Sequence, residues 1–176
     1  MGLEETGGMH SEDITSILKG HIMEDVKFSQ DSPLSEGNHG YKQNPSLTDK
    51  VHCLVSVLPA DKISLMKDVI FEKMRTIREK ARDLKIPQVV LMTRVDEACP
   101  LVKTDLKKIY SSMKIRQKMQ ECHFRLGVPM NCIYPVKNYH EETSLSPDED
   151  CVILEALKHI LDFADDHMTT LLTPTN

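Results

Sequence analysis

The chain has 176 residues, with 22 Lys+Arg against 27 Asp+Glu for a formal charge of −5, 40% apolar residues and 5% aromatic ones. That is the size and composition of one globular domain. No stretch approaches the roughly 18 consecutive apolar residues of a membrane span, and no basic start precedes an apolar run, so the chain reads as cytoplasmic.

Gly2 and Thr6 fit a short N-myristoylation pattern, which acidic Glu4 and Glu5 oppose and no basic cluster supports, so no membrane anchor is expected. Within residues 1–28, Ile14, Ile17, Leu18 and Ile22 recur at helical spacing behind Ser11, a candidate cap, and predict a helix of about three turns. Residues 29–49 carry Pro33, Pro45, Gly37 and Gly40 with few apolar side chains and read as a loop. Five cysteines at wide spacings, Cys53, Cys99, Cys122, Cys132 and Cys151, read as reduced core thiols, two of them inside apparent strands. No metal-ligand spacing occurs among them or the eight histidines.

Residues 51–58 (VHCLVSVL) are mostly apolar and β-branched, as for a strand covered on both faces. Apolar positions from Ile63 to Leu84 then return every three or four residues, predicting a long amphipathic helix. A second strand follows at residues 88–92 (QVVLM), running into the polar turn TRVDEACP. Val102, Leu106, Ile109 and Met113 mark a helix whose apolar phase shifts to Ile115, Met119 and Cys122. A break is therefore expected near Ser111 or Ser112, with Gly127 as a left-handed cap. Residues 131–136 (NCIYPV) predict a third strand. The last helix has Ser146 as cap, Pro147 at its first position and Glu149 to close a capping box. A broad stripe expected to be buried follows from Val152 through Leu157 and Leu161 to Ala164, and the tail from Thr169 is expected to fray.

Alternating strands and helices over residues 50–168 predict an α/β fold: a three-layer parallel sheet with helices on both faces, joined by right-handed crossovers. Ligands of such sheets bind beyond the carboxyl ends of the strands, which directs attention to Thr93-Arg94-Val95-Asp96 after the second strand and Val136-Lys137-Asn138 after the third. Taken alone, Asp96 can equally be a helix cap and Arg94 a solvated charge.

The pair of segments resembles the guanine-recognition elements of P-loop GTPases, [N/T]-K-x-D and S-A-K. Longer stretches, HCLVSVLPAD, PQVVLMTRVDEACP, LGVP and YPVKNYHEE, resemble the interferon-induced protein 44 and 44-like family of vertebrate antiviral, GTPase-like proteins, over most of the chain. The resemblance implies the carboxyl half of a P-loop NTPase (G-domain) fold, with MGLEE at residues 1–5 as the end of a switch segment. It further implies that Asp96 accepts the guanine N1–H and N2 amino group, that Arg94 lies along the base, and that Thr93 ties the loop to neighbouring backbone. Backbone N–H groups at Val136 and Lys137 would face the guanine carbonyl. Arg94 stands where the motif has Lys, Thr93 is an alternative to Asn, and the second motif can be read in two registers, Pro135-Val136-Lys137 or Val136-Lys137-Asn138.

No GxxxxGK[ST] loop occurs in the sequence. The expectation is therefore weak GTP or GDP binding, Mg only where a preceding half supplies its ligands, and no hydrolysis by this chain alone. The resemblance also implies an unpaired edge beside residues 51–58, open to self-association or a companion segment. An alternative is an antiviral interaction protein that uses the scaffold as a binding surface without nucleotide. Nucleic acid is disfavoured: Lys103, Lys107, Lys108, Lys114, Arg116 and Lys118 fit a solvated helix face in a net acidic chain. The acidic pairs Glu141–Glu142 and Asp148/Asp150 fit a helix start better than a hydrolytic pair.

Overall fold

The computed structural model describes residues 10–29 and 31–173, so the myristoylation pattern and the switch-like segment at residues 1–5 lie outside the described residues. Three strands, β1 (Leu54–Pro59), β2 (Gln88–Thr93) and β3 (Ile133–Pro135), form a parallel sheet in the order β1-β2-β3. Leu54 lies opposite Gln88 and Pro59 opposite Thr93, while Val90 lies opposite Ile133 and Met92 opposite Pro135.

The alternation of side chains along β2 divides the core. Val90 and Met92, with Leu58 and Ile133, face α2 (Asp68–Asp83) and α5 (Met113–Leu126) through Phe71, Met74, Ile115, Cys122 and Leu126. Val89 and Tyr134 face the opposite side, where α6 (Pro147–Leu172) contributes Val152, Ala156, Ile160 and Phe163. Helices therefore cover both faces. Complete burial of Phe71 alone is worth about 1.5–3 kcal/mol. The Arg125 guanidinium lies 3.6 Å over its ring and donates to the Ile63 and Met66 carbonyls at 2.7 Å, locking the end of α5 onto the approach to α2. The first helix, α1 (Ser11–Lys19), packs Leu18 against Ala81 and Ile86 at the amino-terminal rim of the sheet.

Several boundaries depart from expectation. Ser11 is the first residue of α1 and His10 holds the cap position, so Ser11 is not the cap. The first strand starts at Leu54 rather than residue 51, and the third is confined to Ile133–Pro135 because Met130–Cys132 coil into a 3₁₀ turn. Neither Cys53 nor Cys132 lies in a strand, and Cys151 is exposed rather than in the core. The turn TRVDEACP coils into α3 (Val95–Ala98) and α4 (Pro100–Thr104). Pro100 separates them because it cannot donate to the preceding turn. Asp105 then starts a further 3₁₀ turn by accepting the Lys107 N–H at 3.1 Å. The expected break is at Ser112, whose hydroxyl accepts the Ile115 N–H, and Gly127 closes α5 at φ +73°.

The outer edge of β1 is unpaired among the described residues. Since the Leu54 N–H points to Pro87 on the β2 side, Val55 and Val57 turn their backbone groups outward, and Val57 is 59% exposed above a groove floored by Leu58, Met66 and Met74. The last helix runs to Leu172, past the Thr169 at which fraying was expected.

Candidate functional site

Strands β2 and β3 are parallel neighbours, so the segments that leave their carboxyl ends emerge at one rim. Asp96 and Lys137 line the same cleft of about 560 Å³, and Thr93, Arg94, Asp96 and Asn138 line an adjoining one of about 290 Å³. The two turns singled out in the sequence meet at this rim.

Each of the five candidate residues has a definite place. Thr93 ends β2, and its hydroxyl donates to the Leu58 carbonyl at 3.4 Å, across to β1. Arg94 adopts the left-handed conformation (φ 58°, ψ 39°), which costs a non-glycine residue about 1 kcal/mol and lets the chain turn at once from strand into α3. Its guanidinium is paired with Asp61 at 3.0 Å, a residue that follows β1, and the other Asp61 oxygen is buried without a partner. Asp96 is the second residue of α3, with Arg94 at the cap position, so the capping alternative does not hold. The Asp96 carboxylate is half-buried and has neither a hydrogen bond nor an ion pair among the described residues.

On the β3 side, the Val136 N–H donates to the Met92 carbonyl at 2.8 Å, extending the ladder by one bond, and the Val136 side chain is buried under α6. This contradicts a Val136 N–H turned toward a base, because that donor is already satisfied by the sheet. Lys137 is drawn inward. Its ammonium donates to Glu149 at 2.6 Å and also to Glu142, with 16% of the side chain exposed against 9% for Glu149.

The Glu149 side chain therefore does not close the capping box predicted with Ser146. Ser146 still accepts the Glu149 N–H, but the carboxylate of Glu149 turns to Lys137, since a charge-assisted bond in a partly dry cleft is stronger than one to a neutral backbone donor. Burial alone would lower the Lys137 pKa. The hydrogen bonds to Glu142 and Glu149 outweigh burial and raise it. The Glu142 carboxyl is held at about 2, first by the His140 N–H and then by Lys137.

Glu142 is thus the hub of the loop after β3: it accepts the N–H groups of His140 at 2.7 Å and Glu141 at 3.1 Å as well as the ammonium. The Tyr139 hydroxyl pins the same loop to the start of α6, donating to Asp150 and accepting the Ser146 N–H, both at 2.8 Å. A Glu97–Lys103 pair at 2.9 Å closes the opposite wall. Sequence reasoning missed Asp61, Glu142, Glu149 and Tyr139 as parts of this site. Only the YHEE run next to Lys137 hinted at two of them.

Chemically, the rim is a cleft whose cations are committed to carboxylates and whose Asp96 retains two acceptor oxygens, suited to a ligand that presents paired N–H donors.

No protein-family model matches the chain, and no solved structure matches it. Curated relatives do. Mus musculus interferon-induced protein 44 is 31% identical over 171 residues, 97% of this chain and 40% of that protein. The Homo sapiens interferon-induced protein 44 is 33% identical over 168 residues, 96% of this chain and 38% of that protein. The Homo sapiens interferon-induced protein 44-like is 30% identical over 173 residues, 97% of this chain and 38% of that protein. The chain spans about two fifths of the length of the curated relatives it matches. Over nearly all of its own length, the chain belongs to the interferon-induced protein 44 and 44-like family.

Proposed function

We propose that this chain supplies the base-recognition rim of a GTPase-like, guanine-nucleotide-binding domain of the P-loop class, in the setting of the interferon response, and that it does not hydrolyse nucleotide alone. One observation carries the reading: Asp96 is an uncommitted, half-buried carboxylate in a cleft shared with Lys137, where the neighbouring cations are already paired. An acceptor-only group with two oxygens complements the adjacent N1–H and N2 amino donors of guanine, and adenine presents no such pair. Thr93 and Arg94 shape the turn that holds Asp96, and Arg94 reaches Asp61.

The expectation of no hydrolysis by this chain alone is supported by the sequence, in which no GxxxxGK[ST] loop supplies the phosphate cradle and magnesium ligand of this reaction class. In the same reading the bare edge of β1 pairs with a companion strand. Asp96→Asn replaces an acceptor with a donor, so guanosine affinity should fall and xanthosine affinity rise, by about 1–3 kcal/mol each. Calorimetric or fluorescence titration of both nucleosides tests this, and equal binding of the two before and after the substitution refutes it.

A second reading is an antiviral interaction protein that handles no nucleotide. The commitment of the Val136 N–H to Met92 and of Lys137 to two carboxylates favours it, since both groups are already satisfied without a ligand. Undetectable guanosine binding at millimolar concentration would leave that reading standing.

A further inference from the structure

The stripe predicted on α6 is too broad for one contact, and the sheet covers only part of it. Val152, Ala156, Ile160 and Phe163 pack against the sheet, and Tyr134 stacks on His159 at 5.0 Å. The remaining apolar residues fall on a different face. Leu154 is 61% exposed and Leu161 60% exposed, with Leu157 and Leu171 also exposed and Ala164 and Met168 partly so.

These six residues, Leu154, Leu157, Leu161, Ala164, Met168 and Leu171, are spaced three, four, three, four and three apart. That is the seam of a coiled coil, superimposed on a helix whose other face is already in the core. An apolar row of this length left in water marks an interaction surface.

The seam is self-complementary when reversed. Two antiparallel copies, related by a two-fold axis crossing between Leu161 and Ala164, place Leu154 against Leu171, Leu157 against Met168, and Leu161 against the small Ala164 of the other copy. Each large residue then meets a counterpart, and no layer is left unmatched. The flanking charges agree: Lys158 and Asp165 lie on the same side of the seam, seven residues apart and of opposite sign. Reversal brings Lys158 of one copy beside Asp165 of the other, whereas in a parallel pairing the two flanks that carry them lie on opposite sides of the seam and the two residues do not meet. Because α6 is already held by the sheet, association does not have to order the helix, and a seam of about five turns suffices where an isolated peptide would need more.

We propose that the exposed leucine face of α6 is a homodimer interface, formed by two copies of this chain with their last helices packed antiparallel about Leu161 and Ala164.

Sedimentation equilibrium of the full chain tests it. The expected result is a reversible dimer that Leu157→Glu with Leu161→Glu converts to a monomer with an unchanged circular dichroism spectrum, since both side chains are exposed. Lys158→Asp or Asp165→Lys alone should weaken the dimer by about tenfold, because two symmetric pairs become repulsive, and the two together should restore it. Exposed Cys151 reports orientation. In the antiparallel pair the two copies of Cys151 lie about 35 Å apart, by the 1.5 Å rise per residue, and cannot form a disulfide.

A chain monomeric up to millimolar concentration, a dimer crosslinked through Cys151, or a dimer indifferent to the leucine changes would each overturn the proposal. So would a dimer dissolved by Val57→Lys, which would locate the contact at the edge of β1.

Discussion

Removing the ammonium of Lys137 while keeping its volume, as in Lys137→Met, leaves Glu149 with no cation in a nearly closed recess. Glu149 already has one oxygen buried without a partner, so the substitution strips the carboxylate of its single strong bond. Breaking a fully buried pair in this way costs about 3–5 kcal/mol. The cleft is open at its mouth and Glu142 is more exposed than Glu149, which places the expected loss at about 2–3 kcal/mol. In a chain of this size that is a fall of roughly 4–12 °C in Tm. Replacing both partners, Lys137→Met with Glu149→Leu, removes the stranded charge and should return to within about 1 kcal/mol of the parent. Urea denaturation at neutral pH, read by circular dichroism, measures all four corners of the cycle. Additive losses in the double variant, or a loss below about 0.5 kcal/mol in the single one, would show that Lys137 is an ordinary surface charge.

Gly127→Ala puts a Cβ where φ is +73° and 3.0 Å from a guanidinium nitrogen of Arg78, so a loss of about 1–2 kcal/mol is expected by urea titration, with Gly127→Asn costing less. His167 is buried with neither ring nitrogen bonded, and desolvation, with His52 beside it, lowers its pKa below the ordinary 6.5. The charged form is then favoured in the unfolded chain. Stability should decline as pH falls below about 6.5, and His167→Phe should flatten that part of the Tm–pH profile; a profile unchanged by the substitution would remove the role of this ring.

Much of the architecture was legible because parallel strands covered on both faces must be nearly continuous apolar runs, as residues 88–92 are, and because punctuation is local. Ser112, Gly127 and the Ser146–Pro147 start act through their own backbone neighbours, and each sits where its chemistry suggests. The departures at the site involve partners distant in sequence or choices between two partners. Glu149 has a capping box available to it three residues back, and gives it up for an ammonium twelve residues back that only the fold brings near. The Arg94 partner, Asp61, lies on the far side of a helix and a strand. On α6, the expectation that Leu157 and Leu161 share a buried stripe is wrong, since both are exposed: periodicity identifies apolar positions without distinguishing a face turned to the sheet from one turned to solvent. The candidate site was legible to the same extent: the two loops that form the rim, but not which of their polar groups are already spent on each other.

That internal commitment has a consequence for what the cleft can hold. Asp96, Glu97, Glu141, Glu142 and Glu149 line it against Lys103 and Lys137, and both lysines are paired with carboxylates from the same lining. A neutral base entering beside Asp96 loses nothing electrostatically, whereas a triphosphate brought to this lining meets an excess of negative charge with no free cation to offset it. If base recognition is what the rim contributes, guanosine should bind at least as tightly as GTP, binding should be insensitive to magnesium, and raising the ionic strength should narrow any gap between the two ligands by screening the repulsion. Competition titrations at two salt concentrations measure this. GTP binding tenfold tighter than guanosine, or a requirement for magnesium, would mean that this chain holds phosphate-binding groups of its own and that the cleft is not where the nucleotide sits.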